Sequence, residues 1–128
     1  MALSYPELVP VTSAVIHAAI EVHRHLGPGL LENVYEEAMY WELVESGLAV
    51  RRQHVHAIVY KTHVIPGAYR LDLLVNDAVV VEIKSVEKVL PVHKSQVKTY
   101  LKMIERHVGL VFNFNVDQMR HGIFLISL

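Results

Sequence analysis

The strongest constraint on how this chain folds is the recurrence of apolar residues at every second position over residues 69–75 and again over residues 79–83. Side chains on a strand alternate between the two faces of a sheet, so such residues share one face. The pattern predicts two strands that meet at Asn76-Asp77 and bury one common face. The residues expected on that face are Leu71, Leu73, Val75, Val79, Val81 and Ile83.

One register brings both apolar sets together, and it pairs Val75 with Val79 across a three-residue loop, a common hairpin length. It continues with Leu73 opposite Val81 and Leu71 opposite Ile83. A two-residue loop would instead bury charged side chains and expose valines, so we exclude it. On the other face, the same register predicts four polar residues in two opposed pairs: Asp72 with Glu82, and Arg70 with Lys84.

The opposition of Asp72 and Glu82 has two interpretations. Directly opposed residues have Cβ atoms roughly 5 Å apart, so two carboxylates repel unless a cation lies between them. Mg²⁺ and Mn²⁺ prefer such hard oxygen ligands, and Lys84 would lie beside them to orient a water molecule. The alternative is a solvated hairpin with diagonal ion pairs, Arg70 with Glu82 and Asp72 with Lys84. Spacing alone leaves both open.

The rest of the chain predicts an α/β fold, with a mixed central sheet flanked by helices. Helical spacing is present over residues 12–26, capped by Thr12 or Ser13, and over residues 30–46. We take Pro66-Gly67 as a boundary between strands, and Pro91 as the start of a third helix. Buried strands are expected over residues 109–115 and 122–128. In the second helix, the predicted apolar stripe consists of Leu31, Val34, Ala38, Trp41 and Val44.

Composition excludes several classes of function. The net charge of −1 argues against a strongly basic protein that coats nucleic acid. The absence of cysteine excludes disulfides, thiolate zinc sites and iron–sulfur clusters. The nine histidines show no convincing zinc-ligand spacing. We find no targeting segment and no apolar run near the roughly 20 residues of a membrane span, and we expect a cytoplasmic protein.

Asp72, followed by Glu82-Ile83-Lys84, resembles the core motif of the PD-(D/E)XK nuclease superfamily. Leu71 stands where the proline of that motif would be. The resemblance implies that Asp72, Glu82 and the backbone carbonyl of Ile83 bind a divalent metal, Mg²⁺ or Mn²⁺. It also implies that Lys84 assists the attacking water.

Two further stretches are similar to nuclease motifs. Gly29-Leu-Leu-Glu32-Asn-Val-Tyr35 is similar to the signature of the GxxExxY family, which implies that Glu32 is a further catalytic acid at the metal. From its position alone, the preferred interpretation of Glu32 is an acid that favours the first turn of a helix. Glu32 shares a helix face with Tyr35, Glu36 and Met39, and we expect Tyr35 to pack with its hydroxyl bonded to a neighbour. Gln96-Val-Lys-Thr-Tyr100 is similar to the Q-x-x-x-Y motif of RecB-like exonucleases, which implies substrate contacts. Lys88 and His93 lie near the expected site and are candidates for binding substrate phosphate.

These observations predict that residues 1–128 form a single PD-(D/E)XK nuclease-like domain with a restriction-endonuclease-like core. We expect an enzyme that hydrolyses phosphodiester bonds of nucleic acid, DNA rather than RNA, with Mg²⁺ or Mn²⁺ as cofactor. The alternative is a non-catalytic nucleic-acid-binding or assembly module on the same fold. Such a short chain also suits a homodimer, or an accessory of a larger complex.

Overall fold

A computed structural model describes residues 3–128. Its helices are α1 (Tyr5–Leu26), α2 (Glu32–Glu45) and α3 (Pro91–Ile104). Its strands are β1 (Val50–Tyr60), β2 (His63–Val75), β3 (Val79–Lys84), β4 (Val108–Asn113) and β5 (Ile123–Ser127), with a short 3₁₀ turn over Met119–Gly122. None of these helices is long and apolar enough to cross a membrane.

The five strands form one mixed sheet in the order β1-β2-β3-β4-β5, which confirms the predicted fold class. Only β3 and β4 are parallel, and α3 makes the crossover that a parallel pair requires. The α1 and α2 helices cover one face, where Leu73 and Val81 are buried. The α3 helix covers the other face, over Leu74 and Val80. Polar residues, Lys84 and Ser85, lie at the end of the sheet where β3 finishes.

The predicted hairpin register is confirmed at its turn, where Val75 pairs with Val79 and Leu73 with Val81. Backbone pairing ends there, so Leu71 with Ile83 and Asp72 with Glu82 do not form backbone pairs. Leu71 packs in the cluster beneath α3, on the face opposite Leu73, which corrects the prediction that the two share a face. Between these two leucines the pairing of β1 with β2 skips Gln53 and Asp72, and Gln53 has positive φ. At the same place, the Ile83 N–H donates to Asp72 Oδ2 at 2.8 Å. A side chain thus takes the place of a backbone partner, and the strands separate.

The β1–β2 pair continues well beyond this point, as far as Tyr60 opposite His63. We call residues 54–71 the arm. The prediction that Pro66-Gly67 separates two strands is wrong. These residues lie inside β2, at the point where its register with β1 shifts. Gly67 has φ +66°, which suits the left-handed backbone of a bulge. The chain reverses instead at Lys61, which also has positive φ.

Helix α1 starts seven residues before the predicted Thr12, and its cap is Ser4. The Ser4 N–H and hydroxyl both donate to Glu7 Oε2 at 2.7 Å, which satisfies the start of the helix. Pro6 lies in the first turn, where a missing N–H has no cost, and Pro10 is accommodated inside the helix. The helix thus continues through a residue type that usually interrupts one.

The buried face of α2 differs from the predicted apolar stripe, whereas the expected packing of Tyr35 is confirmed. Tyr35, Met39 and Leu43 are fully buried, whereas Leu31 and Trp41 of the predicted stripe are 74% and 53% exposed. Both sets recur at helical spacing, because α2 carries apolar residues around most of its circumference. Periodicity therefore could not choose between them. Tertiary contacts select the face that carries Tyr35.

Candidate active site

Asp72 and Glu82 lie side by side where β2 and β3 separate. Glu82 is only 6% exposed. Burial, the hydrogen bond with Asp72 and the charge of Asp72 raise the pKa of Glu82 from 4.5 to about 9. The positive charge of Lys84 acts in the opposite direction but does not reverse the shift. Without a cation, therefore, the pair holds a proton at neutral pH.

This pair has the donors that a hard divalent cation requires. A cation would replace the shared proton and remove the repulsion between two close carboxylates. Mg²⁺ typically uses one or two carboxylates and completes its octahedron with water and substrate phosphate. The residues present at this position therefore fit such an ion. Within residues 3–128, however, no group of three or more His, Cys, Asp or Glu side chains is arranged as a metal site.

Glu32, at the first position of α2, faces the end of β3. Its Oε2 accepts the N–H of Ser85 at 3.1 Å, and its charge contributes to the raised pKa of Glu82. The Ser85 hydroxyl in turn donates to the carbonyl of Leu30 at 2.6 Å. Ser85, the residue after Lys84, is thus bonded both to Glu32 and to the segment before α2. Glu32 is therefore close to Asp72 and Glu82, but its Oε2 is bonded to a backbone amide and does not form a third side of a metal site with them.

Tyr35 explains how the segment before α2 is held. Its hydroxyl donates to the carbonyl of Gly27 at 2.5 Å and accepts the N–H of Leu30 at 3.1 Å. Its ring stacks on Phe114, with centroids 4.5 Å apart and planes 8° apart. Gly29 has φ +96°, so glycine is favoured in the turn between Gly27 and Leu30. The turn at Gly29 and the hydrogen bonds of Tyr35 therefore hold the segment that positions Glu32.

Asn113, at the end of β4, holds the segment that follows Lys84. It is 3% exposed, its Oδ1 accepts the N–H of Val86 at 3.1 Å, and its Nδ2 donates to the Val86 carbonyl at 2.9 Å. The adjacent Phe114 N–H donates to the Lys84 carbonyl at 3.0 Å. Sequence reasoning did not assign a role to Asn113 or Ser85. The available signal for Asn113 was an asparagine ending an otherwise apolar strand.

Tyr100 lies on α3 beside the acid pair. Burial, followed by the charges of Glu82 and Asp72, raises its pKa. Its ring meets the ring of Tyr69 edge-on, with centroids 4.8 Å apart. Gln96 lies one turn earlier on α3 and is exposed. The helix therefore places Tyr100 next to Asp72 and Glu82, and Tyr100 in turn contacts Tyr69 of the arm.

The two predicted phosphate contacts lie in and after the loop between β3 and α3. Lys88 is exposed there. His93 Nδ1 accepts the N–H of Leu90 at 3.0 Å and so caps the start of α3. This contact occupies one ring nitrogen, and it leaves Nε2 as the nitrogen that can reach a substrate.

The chain was compared with protein families, curated proteins and solved structures. A family model described as the PD-(D/E)XK nuclease superfamily matches residues 10–125. The match covers α2, the whole sheet except its last residues, and α3. Searches of the curated proteins and of the solved structures gave no significant match.

Proposed function

Because the chain belongs to the PD-(D/E)XK nuclease superfamily, we propose that it is a divalent-metal-dependent nuclease that hydrolyses phosphodiester bonds of nucleic acid. The observation that supports this most is the close pair of Asp72 and Glu82, beside Lys84, where two strands separate. We further propose that it is a member of the GxxExxY family with features of the RecB-like branch. The contacts of Tyr35 and the position of Tyr100 support these finer assignments.

Asp72, Glu82 and the backbone carbonyl of Ile83 would hold Mg²⁺ or Mn²⁺. Glu32 would contact the ion through a water molecule, since its Oε2 already accepts the Ser85 N–H. The hydrogen bond from the Ile83 N–H to Asp72 fixes the orientation of this carboxylate before the ion binds. When bound, the ion would lower the pKa of a water molecule and stabilise negative charge developing at phosphorus.

The chain's own residues would divide the remaining work. The Lys84 ammonium would orient the attacking water and offset charge on the phosphate oxygens. Gln96 and Tyr100 would position the substrate from α3, while Lys88 and the Nε2 of His93 would donate to phosphate oxygens. In the overall reaction, water adds to phosphorus and the P–O ester bond breaks, with the proton passing to the leaving oxygen.

The test is cleavage of labelled single- and double-stranded DNA and RNA by the purified chain with Mg²⁺ or Mn²⁺. Asp72→Asn and Glu82→Gln should abolish cleavage while the circular dichroism spectrum stays native. Glu45→Gln is the matched control, because this exposed acid lies at the far end of α2, and it should retain full activity. The four substrates also test the expectation of DNA rather than RNA.

A second measurement makes the result decisive. Calorimetric titration with Mn²⁺ should show binding to the native chain and none to Glu82→Gln. If no nucleic acid is cleaved with either metal, and calorimetry detects no binding, the proposal is wrong. The chain would then be a non-catalytic nucleic-acid-binding or assembly module on this fold.

A further inference from the structure

Charge is distributed very unevenly along this nearly neutral chain. Residues 1–45 contain seven acidic residues and one basic residue, whereas residues 46–104 contain nine basic and four acidic residues. The first segment forms α1 and α2, which cover one face of the sheet. The second forms the arm, the hairpin and α3. The net charge of −1 therefore conceals a molecule with an acidic side and a basic side.

The arm extends past the candidate site. Strands β2 and β3 are antiparallel, so the direction from Val81 to Lys84 is the direction from Leu73 towards His63. Pairing with β3 ends at Leu73, but β1 and β2 stay paired to Tyr60 and His63. The arm is thus a two-stranded ribbon of about 20 Å, at roughly 3.3 Å per residue, that projects beyond Asp72 and Glu82.

The arm and the segment leading into it contain no acidic residue. Between Glu45 and Asp72 the chain carries four arginines and lysines and three histidines. Arg52 is bound to Glu36 and Glu37 at the root of the arm. Lys61 and Arg70, within the arm, are exposed, so their charge faces solvent or a ligand. A projecting ribbon of one charge sign is suited to an anionic partner.

Aromatic contacts connect the arm to the site. The ring of Tyr69, in the arm, contacts the ring of Tyr100 edge-on. Tyr100 is close enough to Glu82 and Asp72 for their charges to raise its pKa. At the tip, Tyr60 is 58% exposed, and the Lys61 ammonium lies 5.4 Å from the centre of its ring. Nucleic-acid-binding surfaces combine such cations, which meet phosphates, with aromatic faces on which bases stack.

We propose that the arm binds the phosphodiester backbone of nucleic acid and guides it to the Asp72–Glu82 site. The proposal rests on the proposed function in taking nucleic acid as the substrate. Exposed valines beside the cations would contact sugars and bases: Val55, Val59 and Val64.

A second copy of the chain is the other occupant to consider, because β1 is an edge strand. Twofold pairing of β1 with its copy would bring two acid-free basic strands together. The Arg51-Arg52 end of each strand would approach the Lys61 end of the other. Like charges at such a contact repel, whereas phosphates are attracted. Charge therefore favours nucleic acid.

The test is the salt dependence of binding to a fluorescent oligonucleotide, single-stranded or duplex, measured by anisotropy in EDTA so that no cleavage occurs. Lys61→Gln and Arg70→Gln each remove one positive charge from the arm. For each phosphate that a variant no longer neutralises, the slope of log Kd against log salt concentration should fall by about 0.7 for a single strand, or about 0.9 for a duplex. Lys102→Gln is the matched control, and it should leave the slope unchanged. Lys102 is equally exposed, but it lies in the last turn of α3, near the start of β4 and away from the site end.

The outcomes separate this proposal from the proposed function. Slopes unchanged in Lys61→Gln and Arg70→Gln, or no binding by the native chain, would overturn the role of the arm even if cleavage is observed. Binding that depends on the arm, without any cleavage when metal is added, would support the arm and refute the nuclease. Sedimentation tests the second copy: if the arm variants dissociate a dimer while their oligonucleotide affinity is native, the arm is a contact between copies.

Discussion

The two ends of the β2–β3 hairpin differ in what they contribute. At the turn end, Val75 pairs with Val79 and Leu73 with Val81, and all four side chains are completely buried. At the open end, the strands separate, and two acids occupy the space between them. The turn end is built as a core would be, whereas the open end retains an unfavourable interaction that a cation would relieve. Stability and chemistry are thus placed a few residues apart on the same two strands.

The largest effect expected from this comparison is at the turn end. Leu73→Ala should lower the free energy of unfolding by about 2–5 kcal/mol, since it leaves a cavity in a fully buried cluster. Glu82→Gln, on the neighbouring strand, should leave the metal-free protein at least as stable as the native chain, because it removes a buried acid beside another acid. Urea denaturation of both variants measures the difference. Equal destabilisation by the two substitutions would mean that the open end is also structural.

The second prediction concerns pH in the absence of metal. Between pH 4.5 and about 9, Glu82 is protonated in the folded chain but ionised in the unfolded one. The folded state then binds more protons, so the contribution of Glu82 to stability must be lost as pH rises through this window. Urea midpoints measured in EDTA should fall more steeply with pH for the native chain than for Glu82→Gln. Identical slopes would show that Glu82 ionises normally and that the two ends differ less than we infer.

The turn end was predictable from sequence and the open end only in part. Alternating burial fixes the register near Val75, since a shift of one residue would expose every valine. The same register predicts that Asp72 and Glu82 are close, and this is confirmed by the hydrogen bond between their carboxyl groups and by the effect of Asp72 on the pKa of Glu82. It could not predict where Leu71 packs, because the β1–β2 pairing is interrupted at Gln53 and Asp72 and the Asp72 carboxylate accepts the Ile83 N–H. Neither irregularity is visible in the periodicity.

Other differences have the same origin in tertiary contacts. The buried face of α2 depends on Tyr35, whose hydroxyl binds two backbone groups outside the helix. Ser85 and Asn113 act by hydrogen bonds to main-chain atoms distant in sequence. Neither kind of contact leaves a periodic pattern. The identity of the acids and the packing of Tyr35 were therefore accessible from sequence. The roles of Ser85 and Asn113 were not.

Tyr35 allows the comparison to be tested with the smallest change, the removal of one oxygen atom. Tyr35→Phe keeps the ring stacked on Phe114 but leaves the Gly27 carbonyl and the Leu30 N–H without this partner. We expect a loss of about 1–3 kcal/mol in the free energy of unfolding. If the role of this hydroxyl is to hold the segment that presents Glu32, cleavage should fall even under conditions where the variant is fully folded. Ser85→Ala, which removes only the bond to Leu30, should lower cleavage in the same direction with a smaller loss of stability. Native cleavage in folded Tyr35→Phe would instead show that the hydroxyl contributes to stability alone. Residues that affect cleavage would then lie closer to Asp72 than we infer.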